Sequence, residues 1–174
     1  MSMVVESTNL AGSLPFSFQA TKDLENGAII GKGSLVTNET EIYTALDDYS
    51  DGMYLVANPA WSYENGVTKQ NEESYVNKAG VSFRAYKLNK NNKFKIYNID
   101  TVFAKGDKIK YDSSTGKYVV DSGSDPELEV VHVEEVGFPY CIGDHGVRLV
   151  GDTDNNYGYA IGQKTTKYTV QVIK

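Results

Sequence analysis

Phe83-Arg84-Ala85-Tyr86-Lys87-Leu88, then a polar turn at 89–92, then Lys93-Phe94-Lys95-Ile96-Tyr97 decides the fold class. Apolar and polar residues alternate on both sides of an Asn/Lys turn. Positions two apart on a strand share a face, so Phe94 and Ile96 point the same way. Each run reads as a half-buried strand, with the polar turn leading from one to the next.

The pattern repeats outward from there. Towards the N-terminus, Met53-Tyr54-Leu55-Val56-Ala57 is the most apolar short run, closed by Asn58-Pro59. The residue before proline is driven to extended geometry, so this reads as a buried strand ending there. Asn26-Gly27 is a strong turn signal. Ala28-Ile29-Ile30 follows as a strand, punctuated by Gly31-Lys32-Gly33, and Ser34-Leu35-Val36 and Glu41 to Leu46 read as further strands. Towards the C-terminus, 105–111 reads as a turn and a strand, 112–116 as a hairpin turn and 117–120 as the return strand. Leu128 to Val136 alternates with a phase slip at Val130-Val131 that reads as a bulge. Strands at 147–150, 157–161 and 168–172 complete the set. One short helix is expected at 71–78, with Asn71 as its cap and Gly80 past its end.

The expectation is therefore an all-β, mainly antiparallel protein: a barrel or sandwich with a second small β-barrel module and at most one short helix. The division is an extended arm at 1–23, a β domain at 24–100 and a barrel-like module at 101–174. That module reads as an insertion, with its last strand returning to the first domain.

Composition narrows the function. The 174 residues carry a net charge of -6, with lysines and arginines scattered. Nucleic-acid binding depends on clustered cations, so no nucleic-acid partner is expected. No apolar run approaches the about 18 residues of a membrane span, and the first ten residues lack the basic start and apolar run of a secretory signal. A single cysteine, Cys141, excludes an internal disulfide.

Catalytic and metal patterns fail on spacing. His132, Cys141 and His145 lack the paired spacings and fourth ligand of a structural zinc site. Asp152, Asp154 and Asn156 alternate as in a calcium loop, but the glycine falls one place late and Gln163 stands where a glutamate is needed. The glycines of Gly31-Lys32-Gly33 lack phosphate-loop spacing. No catalytic residue, metal or cofactor is expected. Contact residues are expected among the aromatics instead. Phe16 and Phe18 lie on the arm and Trp61, Tyr63 and Tyr75 in the polar stretch at 60–80, with packing over a sheet edge as the ordinary alternative.

The order from Leu24-Glu25-Asn26-Gly27 through Gly33-Ser34-Leu35-Val36, Glu41-Ile42-Tyr43, Met53 to Pro59, and Phe83 to Ile96 resembles small structural proteins encoded in the head-gene region of tailed phages. The resemblance covers about the first 100 residues and implies a capsid decoration or auxiliary head protein. It implies a virion location on the head surface after synthesis in the host cytoplasm, with the major capsid protein as partner. Self-association, as a trimer for instance, goes with that role. The other reading is a tail- or surface-associated module that recognises carbohydrate or protein through its aromatic loops.

Overall fold

The structure, a computed structural model, describes residues 3–10, 13–49, 52–58, 62–64, 67–70, 75–97, 99–124, 126–137, 142–143, 146–147 and 164–174. These residues are all β, without a helix. Five strands close a barrel in the order β10 (Ser82–Lys87), β2 (Pro15–Gln19), β5 (Ile42–Leu46), β4 (Ile29–Leu35) and β6 (Tyr54–Val56). Six more form a sheet in the order β1 (Val4–Asn9), β11 (Lys93–Tyr97), β17 (Lys164–Val172), β14 (Leu128–Gly137), β12 (Lys108–Asp112) and β13 (Lys117–Val120). Three two-stranded ribbons are added: β3 (Leu24–Glu25) with β9 (Val76–Asn77), β7 (Ser62–Glu64) with β8 (Val67–Gln70), and β15 (Ile142–Gly143) with β16 (Gly146–Val147). All sheet pairings are antiparallel except β2 with β5.

Strand order reverses the expected insertion. All barrel strands lie between β1 and β11, so the barrel interrupts the sheet in sequence. The N-terminal stretch expected as an arm supplies β1 to the sheet and β2 to the barrel. The last strand, β17, pairs with β11 from before residue 100. The expected helix is corrected at Val76–Asn77, which pairs as strand with Leu24–Glu25; 71–74 lie outside the described residues. The slip near Val130 is a register shift between Val130 and His132, as the sequence implies.

Register fixes what fills the barrel. Phe18 stands opposite Phe83 and Tyr43, Ala85 opposite Phe16 and Val56, Tyr54 opposite Ile30 and Lys87, and Lys32 opposite Ala45. Opposite residues share a face, so one set lines the interior. On β6 the other face is buried too: Leu55 pairs with Ile29, and both join one apolar cluster with Phe94, Ile96, Val130 and Val170 of the sheet. This accounts for the unbroken apolar run at 53–57. A strand buried on both faces cannot afford polar alternation.

Gly31-Lys32-Gly33 does not break the chain; β4 runs through it. A Cβ on Gly31 would stand 1.8 Å from the Asp48 carbonyl oxygen, and one on Gly33 2.9 Å from that of Thr44. The glycines are there for close backbone approach. The turn at 89–92 uses Asn91 in the left-handed conformation (φ 70), which asparagine tolerates.

Tyrosines tie the two bodies together. The fully buried Tyr118 of β13 donates its hydroxyl to the Gly27 carbonyl at 2.8 Å. Tyr49 donates to the Tyr111 carbonyl at 3.1 Å. Burial pushes the Tyr118 phenol well above its ordinary range and, with Glu25 and Asp47 adding to it, raises Tyr111 to about 12. An unfolded tyrosine ionises near ~10. These groups therefore contribute stability in full below about pH 10 and lose it as pH rises from there through the folded values, by up to about 1.4 kcal/mol per pH unit per tyrosine. Urea titrations between pH 9 and 12, with ranges set by ~1 pH unit steps, should show this fall. Tyr118→Phe should cost about 1–3 kcal/mol at neutral pH, because the Gly27 carbonyl is left buried without its donor.

Candidate interaction surface

One end of the barrel combines apolar and cationic groups. β2 enters there with Leu14, 75% exposed, ahead of it, and β4 leaves with Leu35, 45% exposed. Ser13 pins the entry by donating its hydroxyl to the Lys87 carbonyl at 2.6 Å. Just inside lie the rings of Phe16, Tyr43 and Tyr54. Phe16 meets Tyr54 edge-on with centroids 5.6 Å apart. The Lys32 ammonium sits 3.7 Å from the Tyr43 centroid and 5.0 Å from that of Phe16. Contacts of this kind are worth about 0.5–2 kcal/mol.

Several lysines away from this mouth are paired. Lys22 pairs with Asp47, Lys78 with Asp23, and Lys95 with Glu134. Across the open face of the sheet, Lys108 pairs with Glu129 and Lys167 with Glu6, a face whose charges are mutually compensated. The hydrogen bond from Lys95 holds the Glu134 carboxyl below its ordinary range. Among the described residues no carboxylate pairs with Lys32 or Lys87. Glu39 and Glu41, on the neighbouring loop, are exposed and bond neither. On a chain of net charge -6, the mouth is a cationic spot with an apolar rim.

The aromatic contact residues expected from sequence separate. Phe16 is at the mouth, half-buried. Phe18 is 0% exposed and packs on Tyr54 and Phe83, which corrects its reading as a contact residue: alternation puts it in the barrel core. Tyr75 lies at the opposite end, half-buried, and its hydroxyl accepts a 2.7 Å hydrogen bond from the Asn58 amide. Trp61 and the Tyr63 side chain lie outside the described residues, as do Cys141, His145 and residues 152–163. His132 is exposed on β14.

Asparagines clamp that opposite end. Asn26 accepts from the Asn58 backbone at 3.0 Å and donates to the Asn58 carbonyl at 2.9 Å. Asn77 donates to the Leu24 carbonyl and to Asn26. The turn at Asn26-Gly27 and the segment end at Asn58 are thus locked together. Sequence reading missed Lys32, Lys87, Leu14 and Leu35. The available signal was phase: Lys32 is in step with Ile30 on the interior face, but reading a break at Gly31 hides it.

Among the described residues no group of three or more His, Cys, Asp or Glu is placed to hold a metal ion. Comparison with known protein families, curated proteins and solved structures finds no match to this chain.

Proposed function

We propose that this chain is a non-enzymatic structural protein of a tailed-phage virion, binding the assembled major capsid shell as a decoration or auxiliary head protein. The observation that carries the reading is the barrel mouth: exposed Leu14 and Leu35 around uncompensated Lys32 and Lys87. Unpaired cations with an exposed apolar rim suit contact with a protein surface of opposite sign. The sequence resemblance over the first 100 residues points to the capsid as that other surface. Binding only the assembled shell stabilises it by mass action, and many copies on a repeated lattice supply the total.

Cosedimentation of the purified chain with assembled shells tests this. Wild type should pellet with the shells in a saturable ratio. The double variant Leu14→Asp, Leu35→Asp should bind at least about tenfold more weakly, the effect of ~1.4 kcal/mol. Both side chains are substantially exposed, so its unfolding midpoint should match wild type. Absence of wild-type pelleting contradicts the reading, and full binding by the folded double variant moves the contact off the mouth.

A further inference from the structure

Where barrel meets sheet, the segment Lys22 to Glu25 faces the β12–β13 hairpin across a cleft of about 360 Å³. Clefts of about 300–1,000 Å³ between packed bodies are the usual place for small ligands. Tyr111 forms the cleft's floor, only 5% exposed and set edge-on to Tyr118 with centroids 5.4 Å apart. Its hydroxyl lies beside Gly116 and, unlike those of Tyr118 and Tyr49, makes no hydrogen bond among the described residues. The ring is buried while the hydroxyl has no protein partner among these residues, which leaves it free to donate to a group in the cleft.

The walls define what fits. Most of their charges are paired: Lys117 with Asp100, Lys22 with Asp47 at 2.7 Å and Asp23 with Lys78 at 2.7 Å, while Glu25 accepts a hydrogen bond from the Met3 backbone N–H at 2.7 Å. An anion would meet the carboxylates of Asp23, Glu25 and Asp100, and a cation the ammonium groups of Lys22 and Lys117. What remains is a dense set of donors and acceptors of both kinds, the hydroxyls of Ser113 and Thr115 among them. Such walls suit a ligand that is uncharged and rich in hydroxyls. The phenol of Tyr111, held up to about 12 by burial, stays a donor throughout the physiological range.

We propose that this cleft binds a neutral sugar unit, with the Tyr111 hydroxyl donating to a sugar oxygen and the paired carboxylates accepting from sugar hydroxyls. This site is separate from the barrel mouth and does not rest on the virion reading.

Saturation-transfer NMR on the full chain tests it, using glucose, galactose, N-acetylglucosamine and their disaccharides, with glucuronate and glucose 6-phosphate as charged counterparts. At least one neutral sugar should give a saturable signal, and the charged counterparts should bind more weakly. Tyr111→Phe should weaken that sugar about tenfold, the loss of one hydrogen bond of ~1.4 kcal/mol. The same variant should keep the wild-type unfolding midpoint, because this hydroxyl bonds nothing within the described fold. A tighter disaccharide would identify the source as a glycan chain, and equal affinity a free sugar; either supports the site. No neutral sugar binding, preference for the charged counterparts, or an unaffected Tyr111→Phe would overturn it.

Discussion

Gly31→Ala is expected to destabilise the protein by at least about 3 kcal/mol, a large part of the ~5–15 kcal/mol that holds a typical domain. The new Cβ would lie 1.8 Å from the Asp48 carbonyl oxygen, and the obstructing atoms are backbone, not a flexible side-chain tip. Relief requires β4 to move away from the segment after β5. Those strands pair at Gly31 and Leu46, so movement opens the barrel. Gly80→Ala is the control. Gly80 has φ 73 with open space around it, so the cost there is the left-handed backbone alone, about 1–2 kcal/mol. Urea unfolding of the three proteins distinguishes these costs. A Gly31→Ala midpoint no lower than that of Gly80→Ala would mean that the crossing at Asp48 is not as described.

Phe18→Ala should cost about 3–5 kcal/mol, as for other fully buried aromatic rings. Phe18 is in contact with Tyr43, Tyr54 and Phe83, whose centroids lie 6.2, 5.1 and 6.3 Å away, and alanine would leave their rings facing a void. Phe16→Ala, at the half-exposed mouth, should cost less and act chiefly on shell binding. The pair separates two roles for one short strand. A stable Phe18→Ala protein that fails to bind shells would return Phe18 to the contact surface.

Much of the barrel could be read from its residues because its chemistry is local. Alternation in 83–88 and the turn at Asn26-Gly27 each act within a few positions, and each appears in the fold. What resisted reading depends on distant segments meeting. Nothing near Gly31 announces that Asp48 will cross it. Val76–Asn77 looks helical by its acidic lead and terminal glycine, yet pairing with Leu24–Glu25 overrides that propensity. The insertion of the barrel into the sheet is likewise a matter of pairing between β1 and β11, far apart in sequence, as in Val4 with Tyr97. At the barrel mouth, Phe16 stands out in the alternation of its strand, while Lys32 is concealed in a glycine-flanked step. The seam cleft was not visible at all, since Tyr111 and Glu25 come from different bodies.

The most direct test of the virion assignment is the copy number of this chain in purified phage particles from the source that encodes it, measured by quantitative mass spectrometry against the major capsid protein. Shell decoration predicts a fixed ratio near one to one, or one to a few. Absence from the particles, or only a handful of copies as at a neck or tail, would contradict it.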